Sequence, residues 1–419
     1  MTPIVRPLDR REAPPISRRR ALALAASAVG WLGCGRGRES QSESEPAVRS
    51  LNAGLRALVA AQSDDGAWRS RTYGALKDGL SLTPSVLKAV VFGPPVEGSE
   101  ASRRRGVEYL AGRVRVDGSI DAGPYGLVYP VYTAAASVIV LSRAAVSGTE
   151  HARDGWLREL RGRQLTEALG WSPDEPPYGG WGYSVAPPFK KDAGTVEGPP
   201  ADADLSSTLF AVGALRVAGA TADDPQVRKA LAFVRRCQNF AEDGRDTGPS
   251  FDDGGFFFSP TDPVRNKAGA SGTDRLGRER YHSYGSATAD GLRALLRCGL
   301  PPDHPRVLAA RAWLGRNFSA GHNPGTFEPA REVERDATYY YYAWSLAHAF
   351  RASGFDLVGE GGRRVDWAAE LTRALVPLQR ADGFWSNRFR ASKEDDPLIA
   401  TSLAAGAIGV CLMSGVPRS

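Results

Sequence analysis

Residues 202–215 read DADLSSTLFAVGAL, with the acidic pair Asp202 and Asp204 running straight into an apolar stretch. A carboxylic acid beside an apolar environment can hold a proton for transfer to a substrate. The same residue at the start of a helix can instead cap the free N–H groups of the first turn, with Ser206 and Ser207 following it. Other chemistry-bearing residues stand at the starts of similar stretches: Tyr281, His282 and Tyr284 in RERYHSYGSAT, and Asp336 and Tyr340 in RDATYYYY. Four successive tyrosines sweep about 300° of a helix, so one or two can face any one direction and the others must pack between helices. In SFDDGGFFF, Asp252 and Asp253 invite a metal-diphosphate reading, but two following glycines mark them as turn residues. His282, His322 and His348 form no spaced motif, so no metal or other cofactor is expected.

The elements that position these residues come from a repeat hidden in the spacing. LRALVAAQSDDGAW (55–68), LAFVRRCQNFAEDG (231–244) and LVPLQRADGFW (375–385) each end a helical pattern in Gln, followed by an acidic residue with Gly. Weaker copies are RVRVDGSI (113–120), Gln164 leading to YGGWGYS (178–184), and GHNPGTF (321–327). After every such turn comes a helix apolar nearly all round, beginning near residues 82, 131, 204, 284, 338 and 396, whereas the helices before the turns carry charge on one face. Helices apolar all round are buried and charged amphipathic ones lie outside. Thr83-Pro84, Asp224-Pro225 and Asp396-Pro397 each pair an N-cap with proline in the first turn. The pattern predicts an all-α chain with no strands: a single-domain α/α toroid of six outer-inner hairpins, an α6/α6 barrel over residues 47–416. A straight solenoid of helix pairs is the alternative.

Composition narrows the function classes. Of the formal charge of +6, residues 1–33 supply +4, so the remainder gives little footing for nucleic acid. Arg18-Arg19-Arg20 followed by ALALAASAVGWL and Gly33-Cys34 reads as an export signal over residues 1–34, of twin-arginine or lipoprotein type, with Cys34 acylated. Residues 35–46 then form a polar tether holding the domain at the cell envelope, on the periplasmic side of a bacterium. Cys237, Cys298 and Cys411 remain, read as buried free thiols, with one disulfide among them left open.

The Gln…Gly-x-Trp endings resemble the QW repeats of the prenyltransferase and squalene cyclase superfamily, and the resemblance covers about residues 47–416. It implies that Gln62, Trp68, Trp181, Gln238, Gln379 and Trp385 are structural staples of an α/α toroid. Squalene cyclases protonate an alkene with the central acid of an Asp-x-Asp-Asp-Thr motif. Matching on Thr208 puts Asp204 on the first Asp and Ser206 on the donor, and a hydroxyl cannot protonate an olefin, so that motif reads as absent. The zinc set of protein prenyltransferases would fall on Glu279, Tyr281 and a position near Tyr340, which lack thiolate and imidazole. The expected function is an exported toroid that binds or acts on an isoprenoid or other apolar lipid in its central cavity, without the usual acid or zinc motif. The alternative is a non-enzymatic interaction scaffold at the envelope. The inner-helix N-termini gather at one rim with the long loops 172–203 and 240–283, which leads us to expect an anionic or polar head there. Candidate pocket residues are Asp204, Ser206, Tyr281, His282, Tyr284, Asp336 and Tyr340.

Overall fold

The structure is a computed structural model describing residues 36–190, 202–241, 251–275, 277–354, 356–358 and 364–414; the export signal expected over residues 1–34 lies outside them. Two compact units divide between residues 41 and 42, and of the first only residues 36–41 are described. The helices are α1 (Arg36–Ala60), α2 (Thr83–Phe92), α3 (Ser99–Ala111), α4 (Pro130–Arg143), α5 (Glu150–Arg161), α6 (Leu205–Val217) and α7 (Pro225–Arg236). They continue with α8 (Gly285–Arg297), α9 (Pro305–Arg316), the single turn α10 (Val333–Ala337), α11 (Tyr339–Ser353), α12 (Trp367–Leu375) and α13 (Pro397–Ser414). The stretch read as a tether is helical from Arg36, and a Glu45–Arg49 ion pair at i,i+4 spacing supports the helix.

Six helices form the inner ring. In order α2, α4, α6, α8, α11 and α13 each pack on the next, and α13 packs back on α2, so the ring is closed. Closure excludes the straight solenoid and gives the all-α toroid. The reason is visible in the burial. In α6 every residue from Leu205 to Leu215 except Phe210 is buried. Its outer partner α7 buries only Val227, Ala230, Phe233 and Val234, one face of the helix.

The repeat turns tie neighbouring outer helices together. Each Gln amide donates to the carbonyl of its own turn glycine and to a carbonyl near the start of the next outer helix. Gln62 reaches Gly66 and Ser102, Gln164 reaches Gly179 and Gln226, and Gln238 reaches Gly254 and Arg306, all at 2.8–3.1 Å. Gln379 reaches Gly383 at 2.8 Å and Ser50 at 2.9 Å, which joins α1 to the far end of the sequence. The indoles of Trp68, Trp181 and Trp385 donate to the last carbonyls of the preceding outer helix, those of Leu58, Leu160 and Leu375. Their backbone N–H groups donate to Thr83, Thr208 and Thr401 at the starts of the following inner helices. In the turn after Gln238, Phe256 takes the tryptophan's place and its N–H donates to Thr288. Gly179 is required by this geometry: its φ is +87° and a Cβ would stand 2.1 Å from the carbonyl oxygen of Lys229.

Two expectations are corrected by this pattern. Thr83 does not cap α2, because its hydroxyl accepts from Trp68 N; Asp224 and Asp396 do cap their helices. Strands were not expected, yet among the described residues three two-stranded antiparallel ladders brace the loops: Trp181–Gly182 with Ala203–Asp204, Ala270–Thr273 with Glu279–Tyr281, and Leu357–Val358 with Arg364–Val365. Each is too short to carry an alternating pattern. Cys237, Cys298 and Cys411 are buried free thiols, and burial raises the pKa of the latter two to about 12.

Candidate functional site

A cavity of about 640 Å³ occupies the centre of the ring, and all six inner helices contribute to its wall. Its lining falls into two tiers set by helix register. The upper tier holds the third residues of five inner helices, Ser85, Tyr132, Ala287, Tyr341 and Ile399, with Ser206 from α6. The lower tier holds the sixth residues, Lys88, Phe210, Asp290, Trp344 and Ser402, about 7.5 Å below the helix starts at 1.5 Å per residue. Aromatic rings line much of the wall: Tyr132 stacks on Tyr183 with centroids 5.6 Å apart, and Phe210 on Trp344 at 5.5 Å.

Asp204 is the N-cap of α6, accepting from Ser207 N at 2.7 Å and from the hydroxyls of Ser206 (3.0 Å) and Ser207 (2.7 Å). Ser206 Oγ lies 2.5 Å from the Tyr132 hydroxyl, which lies 3.2 Å from that of Tyr183. A chain of hydroxyls thus leads from the buried carboxyl to the cavity. Burial pushes the Asp204 pKa up to about 7 against the lowering effect of its three donors. Glu394, which accepts from the N–H groups of Tyr340 and Tyr341 at the start of α11, is also raised to about 7 by burial. Both carboxyls hold protons in the folded state where their unfolded counterparts, at about 4, have lost them. The stability they contribute is therefore complete below pH 4 and declines as pH rises through 7. Asp204→Asn should remove on the order of 3 kcal/mol of this decline. Urea midpoints compared at pH 5 and pH 8 would expose an unchanged slope and refute the assignment.

The lower tier carries buried charge. Asp290 accepts from the Tyr341 hydroxyl at 2.7 Å and from Ser345 Oγ, and lies 3.5 Å from Arg293 Nη1. Arg293 donates to Ser345 at 3.0 Å and stacks on Trp344, while Arg297 donates to the Leu209 carbonyl at 3.1 Å. Burial raises Asp290 and lowers both arginines, Arg297 to about 9. Lys88 reaches the rings of Trp344 (4.6 Å) and Phe210 (5.0 Å), and burial followed by Arg293 and Arg297 lowers its pKa to about 7.

Of the seven candidate residues, Ser206 and Tyr284 line the cavity, and Asp204 stands directly behind Ser206. Tyr281 lies outside the lining, because the ladder at Glu279–Tyr281 precedes α8 and turns its hydroxyl to Glu279 at 2.7 Å. His282 borders a separate pocket of about 230 Å³ with Asp253 and Trp313. Asp336 is exposed on α10, one turn short of the inner helix. Tyr340 is buried beside Tyr339, and Tyr341 is the member of the run that faces the cavity. At the rim where an anionic head was expected, Asp204, Glu394 and Asp396 already cap α6, α11 and α13, Lys267 is paired with Glu334 at 2.8 Å and Arg265 with Asp262 at 3.1 Å, while α2 and α4 start without a side-chain cap and Lys393 lines the cavity against the rings of Tyr73 and Tyr129. Sequence reasoning missed Tyr132, Lys88 and Asp290. The signal for the last two was present, since Lys88 is the lone charge in the inner-helix pattern TPSVLKAVVF, and Asp290 shares the pattern SATADGLRALL with Arg293 alone, one turn on.

No family model matches the sequence, and no curated protein does. Among solved structures, the type II terpene cyclase MstE from Scytonema is 12% identical, with a TM-score of 0.53 over 88% of this chain and 99% of that one. A variant of MstE in complex with its substrate, geranylgeranyl dihydroxybenzoate, gives 0.54 at 12% identity over 89% and 99%. A protein from Actinoplanes gives 0.50 at 14% identity over 87% and 99%. The likeness is one of fold: this chain and MstE share the α/α toroid.

Proposed function

We propose that the central cavity binds an apolar isoprenoid-type chain. The observation that carries this reading is the cavity itself, about 640 Å³ within a closed ring and walled by Tyr132, Tyr183, Phe210 and Trp344. That volume lies inside the range of about 300–1,000 Å³ of small-molecule pockets, which are mostly apolar with few polar groups. The same fold in MstE holds a geranylgeranyl compound, which supports the reading. A plugged centre would have favoured the interaction scaffold. On the sequence run alone we extend the proposal to location: residues 1–34 export the chain and Cys34 is acylated, a modification that palmitate labelling of wild type against Cys34→Ala would reveal.

The binding test uses the full chain. Geranylgeraniol should quench tryptophan fluorescence through Trp344, and a lipid should copurify from membranes in stoichiometric amount, identifiable by mass spectrometry. Ala287→Trp, which fills the upper tier, should weaken binding at least tenfold with an unchanged circular dichroism spectrum. Absence of quenching together with absence of any copurifying lipid would overturn the proposal.

A further inference from the structure

Lys88 is the lower-tier group whose charge nothing nearby explains. It projects from the middle of an otherwise apolar helix, LTPSVLKAVVF, and lines the cavity. Among the described residues it makes no ion pair and no hydrogen bond, and its ammonium end lies against the rings of Trp344 and Phe210. Asp290, the carboxylate of this tier, sits on α8, opposite α2 in the ring order, and is already held by Tyr341, Ser345 and Arg293. Lys88 is half-buried in the cavity wall, and a lysine desolvated there without a counter-charge is stabilised by losing its proton. Two guanidiniums behind the wall, Arg293 and Arg297, push the same way, and the resulting pKa of about 7 leaves a large share of free amine at neutral pH. Arg293 and Arg297 on α8 and His348 on α11 are the titratable groups that act on it, and Tyr132 on α4, Asp290 on α8 and Tyr341 on α11 share its cavity wall; α6 and α13 present no charged group at this level. His348, with its pKa held well below the usual value by burial and these cations, adds no charge near neutrality.

We propose that Lys88 is a nucleophilic amine that condenses with the carbonyl of a long-chain aldehyde, so that the cavity holds isoprenoid-type aldehydes as a Schiff base. The proposal rests on the reading of the cavity as a site for an apolar chain, and it adds the reactive end and its orientation, carbonyl inward. The Nζ lone pair forms a bond to the carbonyl carbon, giving a carbinolamine. The carbonyl oxygen then leaves as water with the two hydrogens of the amine, and a C=N bond remains. No oxidant or reductant is consumed. The Phe210 and Trp344 rings packed on the amine limit the approach of water to the imine.

The test incubates the full chain with geranylgeranial, adds cyanoborohydride to reduce the imine to a secondary amine, and maps the adduct by peptide mass spectrometry. Near-stoichiometric labelling at Lys88 is expected, at least tenfold above the exposed Lys77 and Lys190. The rate of trapping at Lys88 should increase as pH rises through 7. Lys88→Met should abolish the cavity label while geranylgeraniol still quenches fluorescence, which shows that the variant is folded. Quenching by the alcohol without labelling at Lys88 would overturn the Schiff-base inference and leave the cavity reading standing. If neither alcohol nor aldehyde binds, both fall.

Discussion

Trp385→Ala is expected to lower the stability of the toroid by about 3–5 kcal/mol, the usual cost of deleting a large buried aromatic. The indole is fully buried, donates to the Leu375 carbonyl at 2.9 Å, and packs so closely on α1 that a Cβ on Gly54 would stand 2.7 Å from its Cζ3. Its backbone N–H meets Thr401 and survives the substitution, so the loss isolates the side chain. Gln379→Ala at the same seam removes three amide hydrogen bonds, leaving the Ser50 and Gly383 carbonyls without that donor and the Ser50 hydroxyl without its acceptor, at a cost of about 1–3 kcal/mol. Chemical denaturation of both variants checks the ordering. If Trp385→Ala lost less than Gln379→Ala, the seam would be held by the amide and not by packing.

The second large effect lies at the centre. Asp290→Ala should cost about 3–5 kcal/mol at pH 7, because it leaves Arg293 buried without its carboxylate. It also strips an acceptor from the hydroxyls of Tyr341 and Ser345. Adding Arg293→Met should restore most of the loss, since replacing both members of a buried pair by apolar groups is often neutral. Additive losses in this double-mutant cycle, read from urea midpoints, would mean that the two side chains are not coupled and that Asp290 is held by its hydroxyl partners alone.

The fold was legible in this sequence because its two signals are local. A helix such as ATSLAAGAIGVCL carries its inner position in its composition, and the spacing from Gln379 to Gly383 and Trp385 carries the turn. The cavity was less legible because facing the centre depends on helix register around the ring. Tyr341 and not Tyr340 faces it since α11 begins at Tyr339 and the third residue of an inner helix points inward. The ladder before α8 and the extra turn of α10 displaced Tyr281 and Asp336 from the helix starts assumed for them. Tyr132 and Tyr183 could not be paired from the sequence at all, because their hydroxyls meet across 51 residues through the packing of a loop on α4.

The seam between Gln379 and Ser50 also bears on the order of folding. The bond spans 329 residues, so α1, which α3 can join early through Gln62 and Ser102, gains its second neighbour only after the intervening hairpins exist. A nascent chain emerging from its N-terminal end carries the α1 face that includes Leu51 uncovered until α13, whose Gly409 lies beside Leu51, is made. Closing so long a loop is entropically slow, which makes ring closure the expected late step of folding. Hairpins such as α4–α5 join neighbours in sequence and can form early. A ribosome-stalled chain ending before residue 375 would then display an open arc with a sticky edge at each end, a natural client for a chaperone.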